Sequence, residues 1–217
     1  AQVAGTGTIK FDGALMTSVA ASIEVDGTNF DFDDVVTVAL GNVDVDATGT
    51  VRVNGAVTTQ DAANGLVTLT NGGVLTLTDS GDFTLEGAFL QDGAGAVSSG
   101  AEITTTDDAV TFSTAVTLTD AVSIATGAGA GTITFGSTLD GDETLALAAG
   151  TGDIDFDGAV GGSTALDAVT ISNVADLTAD DTVGVASLTQ VAGTGTTKFD
   201  GSVTTSAAAG IEVDGTN

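Results

Sequence analysis

A stretch of 28 residues near the start of the chain returns almost unchanged at its end. Residues 2–29, QVAGTGTIKFDGALMTSVAASIEVDGTN, recur as residues 190–217 with 22 of 28 positions identical, after a displacement of 188 residues. Self-similarity at a fixed period is the sequence signature of repeat architectures. The repeat predicts that residues 1–189 form one full period and that residues 190–217 begin the next, homologous period.

A shorter phrase recurs inside the period and has the spacing of a β-strand. Each copy has a glycine followed by an apolar, a variable and a second apolar residue. The copies are GTGTIKFDGAL from Gly5, TGTVRVNGAV from Thr48, SGDFTLEGAF from Ser80, GTITFGSTL from Gly131 and GTGDIDFDGAV from Gly150. Residues two apart share one face of a strand, so Ile9 and Phe11 point inward and Lys10 points outward. The same alternation elsewhere, without helical periodicity, predicts an all-β fold.

The spacing of the turns favours a parallel, coiled arrangement of these strands. Gly, Asn and Asp interrupt the chain every roughly 6 to 12 residues, and several glycine phrases lie about 20 residues apart or near multiples of that distance. We therefore predict a parallel β-solenoid of about nine or ten short coils, rising about 4.8 Å per coil. Turn dipeptides such as Asp12-Gly13 also suit hairpins. An array of antiparallel β-sandwich domains is thus the alternative.

The composition indicates an acidic structural protein outside the cell. Thirty Asp and Glu residues stand against Lys10, Arg52 and Lys198, which gives a net charge of −27. Nucleic acid is excluded as a partner because its binding requires cations that neutralise phosphates. No run approaches the roughly 18 apolar residues of a membrane span, so we expect no membrane insertion in this segment. Since the chain has no cysteine, its stability must come from hydrogen-bonded ladders and apolar packing.

An enzymatic function is not expected. The chain lacks His and Cys, so the usual pairs of nucleophile and base are absent. Carboxylates are abundant, but glycoside hydrolysis needs two of them at a set distance within a cleft. We predict no catalytic residues and no required cofactor.

Clustered carboxylates make calcium the candidate cofactor, because this hard cation takes several oxygen ligands. The candidate ligands are Asp31, Asp33 and Asp34 in FDFDD and Asp140 and Asp142 in LDGDE, with a further cluster at Asp153, Asp155 and Asp157. None matches the twelve-residue EF-hand loop or the nonapeptide of calcium β-rolls. The alternative role of these outward carboxylates is solubility, since charge keeps strand edges and faces apart.

Three longer phrases resemble those of known bacterial surface proteins. GTGDIDFDGAVGG, LDAVTISNVADLTADDTVGVASL and GTITFGSTLDG are similar to the strand repeats of filamentous-haemagglutinin-like and autotransporter-passenger adhesins. The resemblance spans nearly the whole chain. It implies a right-handed β-solenoid, secretion across a bacterial envelope, and an extracellular or cell-surface location.

These observations together predict a structural role. We expect a segment of an extracellular bacterial fibre or filament, a stiff rod whose partner is itself, through adjacent repeats or subunits stacked head to tail. The alternative is the stalk of a giant cell-surface adhesin, with calcium as its candidate stabilising ion.

Overall fold

A computed structural model describes residues 7–214, which form a β-solenoid of ten coils. Every strand pairing within this range is parallel. The described residues contain no helix. The predicted all-β parallel solenoid is therefore confirmed, and the antiparallel sandwich array is not formed.

The strands are short, and their bounds follow the alternation of the sequence. They are β1 (Thr8–Phe11), β2 (Leu15–Ala20), β3 (Ile23–Gly27), β4 (Asn29–Phe32), β5 (Val36–Leu40), β6 (Val43–Ala47), β7 (Val51–Val53), β8 (Val57–Thr59), β9 (Val67–Asn71), β10 (Leu75–Leu77), β11 (Phe83–Leu85), β12 (Phe89–Gln91), β13 (Val97–Ser99), β14 (Ile103–Thr105), β15 (Val110–Phe112), β16 (Val116–Leu118), β17 (Val122–Ala125), β18 (Ile133–Phe135), β19 (Leu139–Asp140), β20 (Leu145–Ala148), β21 (Ile154–Phe156), β22 (Leu166–Asn173), β23 (Leu177–Ala179), β24 (Val183–Gln190), β25 (Thr197–Phe199), β26 (Val203–Thr205) and β27 (Ile211–Val213).

Three parallel sheets form the sides of the solenoid. The first has the order β1-β4-β7-β10-β13-β16-β19, the second runs β2-β5-β8-β11-β14-β17-β20-β22-β24-β26 with β27 also on β24, and the third runs from β3 through β6, β9, β12, β15, β18, β21 and β23 to β25. Single bridges from Leu139 to Val160 and from Val160 to Val183 continue the first sheet into β24. β24 then pairs β26 at its start and β27 at its end. The predicted boundary between residues 189 and 190 falls inside β24, so the solenoid continues across it.

Residues at the same position in successive strands of a sheet form columns that run along the solenoid. In the third sheet, Phe112, Phe135 and Phe156 are in direct register. Their ring centroids are 5.5 Å apart at each step, with interplanar angles of 9° and 8°. Offset and stacked aromatic pairs at this distance attract each other beyond the area they bury. The predicted inward aromatic residues therefore form part of the core, while Phe11 and Phe199 in the terminal coils are half-buried.

A buried amide network interrupts the apolar columns at one corner. Asn71 and Gln91 are fully buried. The side-chain amide of Asn71 donates to the carbonyl oxygens of Gly73 at 2.7 Å and Gly95 at 3.0 Å. Gln91 donates to Oδ1 of Asn71 at 2.8 Å and accepts from the backbone N–H of Ser113 at 3.1 Å. Because buried polar groups need such partners, the network fixes the turns of three successive coils against one another.

Candidate functional site

A surface groove of about 200 Å³ lies where the second sheet turns into the third. Asp61 is the charged residue of its lining, and both carboxylate oxygens are used locally. They accept hydrogen bonds from the side-chain amide of Asn64 at 3.0 Å and from the backbone N–H of Ala63 at 3.1 Å. These bonds, with one from the N–H of Gly41, lower the pKa of Asp61. The carboxylate therefore holds its own loop in shape and faces no catalytic partner in the groove.

An ion-pair network covers the first sheet at its first three coils. Lys10, Asp31 and Arg52 are in direct register on β1, β4 and β7. Arg52 contacts Asp31 at 3.0 Å and Asp33 at 2.8 Å, and Lys10 contacts Asp33 at 2.6 Å and Asp12 at 2.5 Å. The Lys10 ammonium and then the Arg52 guanidinium lower the pKa of Asp33. Apart from Lys10 and Asp12, the sequence separates the members of each ion pair by about one coil, and the fold brings them together.

This network occupies the first group of predicted calcium ligands. Asp31 and Asp33 are paired with the two cations, and Oδ1 of Asp34 accepts the backbone N–H of Val35 at 2.8 Å. The three carboxylates therefore do not converge on a common point. Calcium binding by Asp31, Asp33 and Asp34 stays a prediction.

The second group of predicted calcium ligands is also divided. Oδ1 of Asp140 accepts the backbone N–H groups of Ser163 at 2.7 Å and Thr164 at 3.0 Å, which ties its coil to the next one. Asp142 is exposed on the neighbouring turn. Among residues 7–214, no group of three or more carboxylates is arranged to hold a metal ion.

Two clusters of carboxylates crowd the outward face of the third sheet. In the first, which we call the β21 cluster, Asp155 has Asp153 and Asp157 on the same face of its strand, with Asp176 and Asp180 near it from the next coil. Burial and then repulsion from these neighbours raise the pKa of Asp155. The alternation in GDIDFDG indicates part of this cluster from the sequence alone.

The second cluster, which we call the β3–β6 cluster, is visible only in the fold. Glu24 lies directly opposite Asp44, and Asp26 lies opposite Asp46. Partial burial and then the three neighbouring carboxylates raise the pKa of Asp44. Sequence reasoning did not find this cluster, although the alternating acids of IEVDG and VDVDA carry its signal. In both clusters, neighbouring negative charges disfavour the charged form of the central carboxylate.

The fold and these surfaces define a class rather than a known family. The protein is a parallel β-helix repeat segment. No protein-family model matches the chain, and no significant similarity to a curated protein or a solved structure was found. The described residues include no helix with the length and apolar character needed to span a membrane. The resemblance to haemagglutinin-like and autotransporter adhesins stays a prediction.

Proposed function

We propose that this chain is a structural segment of an extracellular bacterial fibre, and that it acts as a stiff rod. The observation that carries the proposal is the continuity of the stacking. Each coil hydrogen-bonds to the next on three sides, and the first sheet continues from Ile9 to Val203 through ten coils that are 19 to 24 residues apart.

The direction of the hydrogen bonds explains how such a rod bears load. Parallel strands stack about 4.8 Å apart, so ten coils extend about 45 Å along an axis that is parallel to the hydrogen bonds. Pulling along the axis loads three ladders at once. Bending compresses the inward columns, which include the stacked rings of Phe112, Phe135 and Phe156, and close-packed interiors resist compression.

The surface chemistry suits a rod that stays separate from its neighbours. The formal charge of −27 is carried by a chain of 217 residues, and net charge of one sign keeps proteins apart in solution. Exposed strand edges bind one another unless charge or shape prevents it. Outward Asp and Glu residues therefore disfavour side-by-side association of rods, and we expect association at the unpaired strand edges of the ends. The proposal assigns no catalytic role to any residue.

Electron microscopy of the purified protein in chelator tests this proposal. A fibre segment gives straight particles of constant width, whose lengths are about 45 Å or multiples of that length where ends stack. Compact particles without a long axis would contradict the proposal. Glu24→Gln/Asp44→Asn is a matched control, because it changes the side of the rod and leaves its ends intact.

A second candidate function is the stalk of a cell-surface adhesin stabilised by calcium. The closely placed carboxylates of the β3–β6 and β21 clusters favour calcium binding, because a bound cation would relieve the repulsion that, after burial, raises the pKa of Asp44 and of Asp155. A ligand that binds only the folded state stabilises it by about 2.7 kcal/mol at one hundred times its Kd and therefore raises the melting temperature.

Thermal unfolding in millimolar calcium, with sodium chloride at matched ionic strength, tests this candidate. A specific site gives a rise in Tm that chelator reverses and that Asp153→Asn/Asp155→Asn/Asp157→Asn removes. The change Asp31→Asn/Asp33→Asn/Asp34→Asn tests the first predicted ligand group separately, in which Lys10 and Arg52 already pair with two of the carboxylates. An equal rise in sodium chloride would reduce the effect to charge screening.

A further inference from the structure

The repeated 28-residue segment occurs in two settings within one structure. In its first copy, β3 is covered by β6, with Ile23 opposite Val43 and Val25 opposite Val45. Ile23 and Val25 are then 9% and 6% exposed. In its second copy, the equivalent Ile211 and Val213 lie in the last coil and are 50% and 42% exposed. Identical side chains are thus buried where a following strand, β6, pairs them and exposed where, among the described strands, only the preceding strand, β24, does.

The rings and charges of the first copy show what else a following coil supplies. Phe11 stacks on Phe32 of the next coil, with ring centroids 5.0 Å apart and an interplanar angle of 12°. Its equivalent, Phe199, is half-buried like Phe11 itself and lies opposite Ala179 of the preceding coil. Lys10 contacts Asp12 in its own coil and Asp33 in the next, and its equivalent, Lys198, contacts Asp200, the counterpart of Asp12. The coil that fits β25–β27 therefore carries an inward aromatic ring and an outward carboxylate.

The two copies do not lie on the same sides of the solenoid. β1 belongs to the first sheet, whereas its equivalent, β25, belongs to the third. β26 stacks on Val183 in continuation of the first sheet, and β27 stacks on Leu188 in the second, although their equivalents are β2 and β3. The 188-residue period thus spans eight and two-thirds coils. Each period begins one sheet away from where the previous one began.

We infer that the surface formed by β25–β27 binds a further copy of the repeat. The binding coil is the equivalent of β4–β6, and each of its strands lies one sheet away from the sheet of its counterpart in the first copy. The inference rests on the proposed function, because it assumes a rod that extends by stacking and names the partner that stacks on it. In the register of β1 and β4, the partner places its Phe32 on Phe199 and its Asp33 beside Lys198. Its Val43 and Val45 cover Ile211 and Val213.

A second copy does not dock equally well through its own first coil. If equivalent residues of the two copies lay opposite each other, that coil would place Lys10 against Lys198 and Glu24 against Glu212. Like charges directly opposite each other destabilise paired strands. The partner is therefore a repeat that begins at its equivalent of Phe30, joined in tandem after the repeated segment.

The test extends the full chain by residues 30–71 of a second copy, joined directly after Asn217. The chain contains no cysteine, so a single introduced pair reports one contact. Lys10 and Asp31 are direct partners, and adjacent strands lie within the Cα range of a disulfide. Lys198→Cys paired with Asp31→Cys in the added segment should form a disulfide under mild oxidation. Thr204→Cys paired with the same added cysteine is the matched control. Thr204 continues the first sheet, so Asp31 of the added segment would lie opposite it if that segment kept the sheet of β4.

A disulfide at residue 198 and none at residue 204 supports the inference. A disulfide at residue 204, or at neither position, overturns it. Thiol labelling gives a second readout without the lysine change: Val213→Cys should react readily in the 217-residue chain and be protected at least tenfold in the extended chain. A scrambled extension of the same composition should give no protection, and equal protection by it would also overturn the inference. Rod-shaped particles of the unextended chain test the proposed function separately, so either idea can fail alone.

Discussion

Replacing Phe135 by alanine tests whether the inward columns hold the rod together. Phe135 is 1% exposed and lies between the rings of Phe112 and Phe156 in the sixth coil. Truncating a buried phenylalanine costs about 3–5 kcal/mol through lost transfer free energy and the cavity left behind. The two stacked contacts, each worth about 0.5–1.5 kcal/mol, are part of that cost. We therefore expect Phe135→Ala to lower the free energy of unfolding by about 4 kcal/mol.

The assay is urea unfolding followed by far-ultraviolet circular dichroism, with Phe199→Ala as the control. Phe199 has the same chemistry but is half-buried in the last strand of the third sheet, so its loss should cost clearly less. Since each coil of a solenoid contacts only its neighbours, a defect in the sixth coil should also broaden the transition. An equal cost for the two variants, or a cost below about 1 kcal/mol for Phe135→Ala, would refute the argument that this column stabilises the rod.

Three further predictions follow from the buried and charged groups. Gln91→Leu should lower the free energy of unfolding by about 2 kcal/mol or more in the same urea assay, because it leaves the buried Asn71 oxygen without its donor; a neutral result would contradict the network. Gly95→Ala should also destabilise the protein in that assay, because its Cβ would overlap a backbone carbonyl oxygen; an unchanged midpoint would contradict this. The raised pKa of Asp155 means that the folded state binds this proton more tightly than the unfolded state, so stability falls as pH rises through the folded pKa. Asp155→Asn should therefore raise Tm at pH 7 and lose this advantage as the pH is lowered below the carboxyl range, whereas Asp142→Asn, with the same change in net charge, should do less; equal gains would contradict the crowding argument.

The strands themselves are predictable from the sequence, because alternation is a local property. Ile133 and Phe135 stand two apart around a polar residue, and both are buried. The register between coils is not predictable in the same way. Coil lengths vary, with 24 residues from Val51 to Leu75 and 19 from Val97 to Val116, since turns of different size join the strands. The right-handed sense expected from the resemblance stays a prediction.

Unequal coils also explain why the aromatic column is shorter than the repeated phrase suggests. Gln91 precedes Phe112 in the column, and Ala179 separates Phe156 from Phe199. Both interruptions depend on which residues of distant turns share a column. The partners of the candidate calcium ligands could not be predicted for the same reason. A local cluster of carboxylates does not indicate a cation about 20 residues away in the sequence, such as the Arg52 that contacts Asp31 and Asp33.

The placement of the few cations shows how a chain of this acidity can stack at all. Two unit charges one strand spacing apart interact by about 1 kcal/mol in water and several times more in partly buried surroundings, so a continuous column of carboxylates would oppose the ladder that carries it. The outward column of the first sheet instead alternates in sign through Lys10, Asp31 and Arg52. In the third sheet, Glu24 and Asp44 are followed by a threonine at position 68. Lys198 keeps the strand position of Lys10 in the second copy, so the surface that we infer for a further repeat offers a cation to the aspartates of that repeat.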